Sequence, residues 1–527
     1  MHNGKLKLCR RALIITAVVM MVGLLYAQPA QAANIAVTNV ALKYSGANQR
    51  FVKFDVSWDA SWRASWTDAG GTSTNWDAAW IFVKYRCTAG ADTNWHHATL
   101  STNNSDHVAP AGSTINIGLS TNAGGANFGA GVFLYRSAVG NGSWTNTGVK
   151  LRWRYADDGV ADGDQVDVCV HAIEMVYVPQ GSFYAGDGRT TSGMGSFENG
   201  QFTNAFLVTN DNYIIYLGGG TNGNLGNNNA TAMGNTDDFN DVTGQMLPAE
   251  FPKGYNAFYC MKYEISQGQY ADFLNQLTNS TQASTRYPNK SDSRHTISGS
   301  WPSYSASAPT RSCNYLSWAD GAAYADWAGL RPMTELEYEK ACRGPLLPVA
   351  NEYAWGTANI VSDSGDGTLN VSSPENGTET NTTDVSLGAA VYGANQIQVG
   401  GVNSGTGPVR CGLFATANSG RISSGSTYWG IMEMSGNLWE RLVTVGNSTG
   451  RGFTGAHGDG KLNSSGDADV SSWPGINAIG TGLRGGGWDK TSPYCSVSCR
   501  YTAVDIVSTR YYTYGARAVR LAPGINP

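Results

Sequence analysis

"FYCMKYEISQGQYADFLNQL" (Phe258 to Leu277) carries a helix start written into its side chains. Ser266 and Gln269 stand at the spacing at which a hydroxyl caps the third backbone amide and the third side chain bonds back to the cap. Tyr270, Phe273, Leu274 and Leu277 then fall on one face of the helix that follows. Downstream a second helix reads from Ser317 through "WADGAAYADWA" and stops at Gly329, and the capping-box spacing recurs where Thr334 opens "TELEYEKACR" with Glu337 three residues on. Upstream, "EMVYVPQGSFYAGD" (Glu174 to Asp187) reads as strand, Pro-Gln-Gly turn and strand. From Glu352 to Trp429 periodicity lapses and Gly, Asn, Ser and Thr dominate, but Trp355, Tyr392, Cys411 and Phe414 punctuate the stretch, as in packed loops rather than a linker.

Before Glu174 the texture is different. "FVKFDVSW" alternates, with Val52, Phe54, Val56 and Trp58 on one face, and "AWIFVKYRC", "GVFLYRS", "VKLRWRY" and "QVDVCV" are similar short runs between polar turns. Period-2 patterning with no helical stretch predicts an antiparallel, sandwich-like domain. Cys87 and Cys169 lie near strand ends and could be joined or free. Trp58, Trp62, Trp66, Trp76 and Trp80 read first as core packing and second as a sugar-binding platform.

Residues 1–32 read as a cleavable secretory signal: Lys5, Lys7, Arg10 and Arg11, an apolar run from Ala12 to Tyr26, then "AQPAQA" ahead of Ala33. The expectation is an exported protein, periplasmic, cell-surface or secreted, with no membrane span after cleavage. Losing those four cations and no acid takes the formal charge from -5 to -9, which argues against nucleic acid or an anionic membrane as partner. The expected organisation is residues 1–32 signal peptide, 33–172 β-sandwich-like domain and 173–527 an α+β, loop-rich domain.

"MVYVPQGSF", "YCMKYEISQGQYADFLN", "RPMTELEYEKACR", "YAWGT", "GIMEMSGNLWE", "LRGGGW" and "GARAVR", in this order, resemble the formylglycine-generating enzyme, or sulfatase-modifying factor, family. The resemblance implies a C-type lectin-like fold that presents its C-terminal half as a binding surface. Oxidase members bind copper(I) through two cysteines that follow the glycine-rich motif. Counted from "GGGW", the second of these positions is Cys495, but the first is Lys490. A hard ammonium cannot replace a soft thiolate, so copper is not expected. The family's calcium loop aligns with Glu433, Gly436, Leu438 and Glu440, two carboxylates and two backbone carbonyls of the hard oxygen type that calcium takes. The alternative for these residues is a structural turn in which Glu440 pairs with Arg441 or another base.

From Gly482 to Ile525 there is no asparagine, although asparagine is abundant elsewhere. Residues 489–514 instead hold types whose codons lie one or two adenine changes from asparagine. That pattern is similar to the C-terminal segments that diversity-generating retroelements vary in lectin-fold proteins; chance composition in a short window is the alternative. The expected ligand-binding residues are Trp488, Asp489, Lys490, Ser492, Tyr494, Ser496, Ser498, Tyr501, Asp505, Tyr511, Tyr512 and Tyr514, a tyrosine- and serine-rich set like an antibody paratope. The function expected is non-catalytic binding of a protein or glycan ligand. The alternative is a divergent formylglycine-generating oxidase using Cys495.

Overall fold

The computed structural model describes residues 34–122, 124–188, 194–201, 204–240, 242–361, 368–377, 379–382, 384–394, 396–416 and 419–524. The expected signal segment, residues 1–32, lies outside them. The protein is strand-rich with few helices, a loop-rich α+β architecture. Among the described residues no helix is long and apolar enough to cross a membrane.

The alternating runs of the N-terminal half form long antiparallel strands. Gln49–Asp68 pairs with Ala36–Gly46 on one edge and Gly140–Trp153 on the other, and its end reaches Gly71–Cys87. Val52, Phe54, Val56 and Trp58 point inward, as their spacing requires, and meet Ile81, Val83, Leu134 and Leu151 from the facing strands.

The strand Val166–Val178 joins the two halves. Its first part pairs with Gly71–Cys87, and its end, Met175 to Val178, pairs with Phe258–Met261. Beyond that, Phe258–Met261 pairs with Ala518–Leu521, which pairs with Arg331–Pro332. One sheet therefore runs through both halves, and the position expected to divide them, 172/173, falls inside its shared strand. The strand Gly71–Cys87 explains its near-continuous apolar sequence by being covered on both faces. Ala79, Ile81 and Val83 face the N-terminal core, whereas Trp80 and Phe82 enter the larger core with Trp327, Leu330 and Tyr259.

Ion pairs reinforce this seam. Lys262 Nζ lies 3.0 Å from Asp77 Oδ2 and 3.1 Å from Glu174 Oε2, all three side chains being buried. Two carboxylates share one ammonium, and burial holds the Glu174 carboxyl up at about 7.

The two expected capping boxes form, on the helices Gln267–Asn275 and Glu335–Arg343, and the helix Trp318–Trp327 adds a third that Ser317 makes with Asp320. A further short helix, Ser280–Arg286, follows the first and has no such reciprocal box. The glycine-rich region after Glu352 is packed: Trp355, Tyr392, Cys411 and Phe414 are all buried. Among the described residues no disulfide joins one cysteine to another, so Cys87 and Cys169 are not joined. They sit on paired strands but out of step, Lys84 being the residue opposite Cys169 and Val166 the one opposite Cys87.

Candidate functional surface

The C-terminal excursion leaves from one strand of a small sheet and returns to another. Thr481–Arg484 pairs antiparallel with Trp439–Val443, and Tyr514–Gly515 pairs with the other edge of that strand. Residues 485–513 are thus a loop clamped at both ends. Gly485 and Gly486 have φ of +90° and +76°, a region L side chains rarely adopt, and a Cβ on Gly486 would lie 2.7 Å from Cys495 Sγ. The glycine run is the hinge that turns the chain over Cys495.

Beneath the loop lies a buried network of charge. Arg500 donates through Nε and Nη2 to both oxygens of Glu335 and through Nη1 to Asp237, at 2.6 Å. Arg484 donates to Glu339 and to the Val497 carbonyl, at 2.6 and 2.7 Å. Arg343 binds Glu339, Glu352 and the hydroxyl of Ser498. Glu335, in the first turn of its helix, is fully buried against Arg500. Glu337, beside it, caps Thr334 and pairs with Arg331. Asp237 and Asp238 are held by Arg500 and Arg451 respectively. Such pairs are costly to break from one side, because the partner is left charged and dry.

The expected contact residues divide between floor and surface. Trp488 is buried among Leu438, Val409 and Phe414, with its backbone amide on the Asn437 carbonyl. Ser496 and Ser498 are buried too, Ser498 as a ligand of Arg343. These three are scaffold, contrary to the expectation from sequence. The others reach solvent to differing degrees. Tyr494 meets Tyr501 edge-on at 5.1 Å, Tyr511 lies 4.1 Å from Tyr512 and 5.4 Å from Tyr514, and the Arg441 guanidinium sits 4.6 Å over Tyr514. Asp489 and Lys490 pair at 3.3 Å between these two tyrosine groups: Lys490 acts electrostatically on Tyr494, and Asp489 on Tyr512 and Tyr514. Ser492 is half-buried at the start of the short helical turn Ser492–Cys495. Asp505 is half-buried, its carboxyl raised by burial. Trp439, which the sequence did not single out, faces Tyr494 at 6.3 Å.

Cys495 is completely buried. Burial pushes its thiol up, and Cys499 and Asp489 push the same way, the reverse of the shift that produces a copper-binding thiolate. Cys499 is also buried, against Met194.

Both readings of the aligned calcium loop find residues. Glu440 pairs with Arg517, at 2.7 Å, and not with Arg441, which donates to the carbonyls of Val507 and Thr509. Glu433 Oε1 accepts the Gly412 amide at 2.6 Å, and Glu264 takes the Leu438 amide at 3.0 Å. One oxygen each of Glu433 and Glu440 remains buried without a partner. After burial, Glu440 and Glu433 push the Glu264 carboxyl up, Glu440 does the same to Glu433, and the Arg517 guanidinium, with Arg410 on Glu433, opposes them. The unpartnered oxygens of Glu433 and Glu440 are donors of the kind a hard divalent cation such as calcium takes. The carbonyls of Gly436 and Leu438 would complete the oxygen set.

Comparison with known families matches residues 167–522 to the sulfatase-modifying factor enzyme 1-like domain. Comparison with curated proteins returns no match.

Proposed function

The chain belongs to the formylglycine-generating enzyme, or sulfatase-modifying factor, family, and from that premise we propose that it is an exported, non-catalytic binding protein whose C-terminal loop carries the ligand surface on a C-type lectin-like scaffold. One observation carries the reading: the solvent-facing residues of 489–514 form a tyrosine-rich surface, while the inner residues of the same loop are locked into buried ion pairs. Tyrosine offers a large amphipathic contact at small entropic cost, and a fixed floor lowers the ordering cost of binding. The same division suits a segment varied by a retroelement, since exposed positions can change without touching the floor. The ligand class is a protein or a glycan.

The oxidase alternative asks for two accessible soft ligands. Lys490 stands at one position, and the thiol at the other, Cys495, is buried and raised. Incubation with copper(I) and a Cys-x-Pro-x-Arg peptide, read by mass spectrometry, separates the two readings. The binding account expects no aldehyde product, whether from the parent or from Cys495→Ser. Aldehyde formed by the parent and lost in Cys495→Ser would overturn it.

Calcium enters this account as a structural ion held by Glu433, Glu440 and the Gly436 and Leu438 carbonyls. It would offset buried carboxylate charge next to the strand that carries the loop. Calcium at millimolar concentration is expected to raise the unfolding midpoint and chelation to lower it; an identical midpoint in both would remove the ion from the account.

A further inference from the structure

An open cleft of about 260 Å³ lies where the long strand Gln49–Asp68 of the N-terminal half meets the segment 419–430 of the C-terminal half. Trp62 and Trp66 line one side, Tyr428 and Trp429 the other, and Arg421 and the hydroxyl of Ser426 supply polar groups. Trp62 and Trp66 stand four residues apart on a strand, so both side chains leave the same face. Of the tryptophans that read as either core or platform, Trp58 and Trp80 are fully buried, whereas these two are half-buried at the cleft.

The walls are held in place. Trp66 Nε1 donates to Tyr428 Oη at 3.0 Å, and that hydroxyl donates to Asp68 Oδ2 at 2.9 Å. Tyr428 and Trp429 pack edge-on at 4.6 Å. Gly430, at φ +87°, lets the Trp62 ring close over the backbone: a Cβ there would sit 3.0 Å from Trp62 Cζ2. Arg421 is anchored through Nη2 to the carbonyls of Cys342 and Ala354, at 3.3 and 2.9 Å; among the described residues it makes no direct ion pair, and Glu352 and Asp68 act on it electrostatically.

Aromatic faces suit the C–H face of a sugar ring, and hydroxyl-bearing side chains suit its edge. The volume lies below the roughly 300–1,000 Å³ of pockets for drug-sized ligands, which limits the occupant to about one ring. A guanidinium with no direct ion pair supplies the complement of an acid. We propose that this cleft binds a pyranose ring bearing a carboxylate, a hexuronic acid residue of a glycan, with the ring against the tryptophans and the carboxylate at Arg421. The site uses other elements than the C-terminal loop and stands independently of the function assigned to that loop.

The test is calorimetric titration of the intact chain with methyl β-D-glucuronide, with methyl β-D-glucoside and sodium acetate as comparisons. The glucuronide is expected to bind at least about tenfold more tightly than the glucoside, the size of one charge-assisted hydrogen bond, with acetate far weaker than either. Trp62→Ala is expected to weaken the glucuronide at least about tenfold with an unchanged circular dichroism spectrum. Arg421→Gln is expected to abolish the preference for the acid. Should Arg421→Gln fail to fold, the ratio of glucuronide to glucoside on the parent and its loss at high salt decide in its place. No detectable glucuronide binding, equal affinity for both glycosides, acetate binding as tight as the glucuronide, or full affinity in Trp62→Ala would each overturn the proposal.

Discussion

Cys495 shows how far a residue's sequence neighbourhood can mislead. Its place after "GGGW" suggests redox chemistry, but its sulfur lies under the turn of Gly486 with no access to solvent. Reactivity follows thiolate fraction and access, and burial works against both. Alkylation of the native protein at neutral pH, mapped by mass spectrometry, is expected to label the half-buried Cys87 and Cys169 first and to leave Cys260, Cys313, Cys342, Cys411, Cys495 and Cys499 untouched until the chain is unfolded. Rapid native labelling of Cys495 would show that the turn opens and would restore a chemical role for the thiol. Trp488 carries the opposite lesson. An exposed-looking aromatic beside a glycine run is a core residue here, because its indole fills the space against Leu438 and Phe414.

At the scale of the loop and the elements that hold it, the account rests on the difference between floor and surface. Arg500→Ala would leave Glu335 and Asp237 buried without their cation, and is expected to cost about 3–5 kcal/mol in denaturant unfolding. Tyr511→Ala, at an exposed position, is expected to stay within about 0.5 kcal/mol of the parent. Equal costs at the two positions would mean that the loop is not divided in this way. The same contrast explains what the sequence could disclose. Capping boxes join residues three apart, so Ser266 and Thr334 announce their helices locally. The bond between Arg500 and Glu335 spans 165 residues, and nothing near either residue marks it. Of the expected contact set, the missing asparagine and the tyrosine- and serine-rich composition marked the loop, but only tertiary packing separated Ser492 from the buried Ser496 and Ser498.

For the whole molecule, the strand Val166–Val178 makes the two halves one body. The change of texture at Glu174 is real in the sequence, since long alternating strands precede it and helices and loops follow. It does not mark a break in the sheet, because "VDVCV" and "EMVYV", which read as separate strands, lie on the one strand Val166–Val178 that pairs on both sides. Trp80→Ala, which removes a ring from the shared core, is therefore expected to destabilise both halves together by about 3–5 kcal/mol in a single transition. The seam also makes stability depend on pH. Glu174 has a folded pKa raised to about 7, above its unfolded value, so the native state holds the extra proton between the two. Its contribution is favourable at low pH and is lost as pH rises from about 4.5 towards 7. Thermal melts across this window are expected to show a smaller decline in Glu174→Gln than in the parent, Lys262 keeping Asp77 as partner. An identical decline would place the surplus proton elsewhere.

The central claim is that residues 489–514 present a variable binding surface on a fixed floor. Deep sequencing of the codons for residues 482–520 across a natural population, together with the adjoining DNA, tests it most directly. The account predicts changes at template adenines, concentrated at Asp489, Lys490, Ser492, Tyr494, Tyr501, Asp505, Tyr511, Tyr512 and Tyr514, with a near-copy of the segment close by. Gly486, Trp488 and Arg500 should be constant. Substitutions spread evenly over floor and surface, or a segment invariant throughout and without a nearby copy, would contradict it.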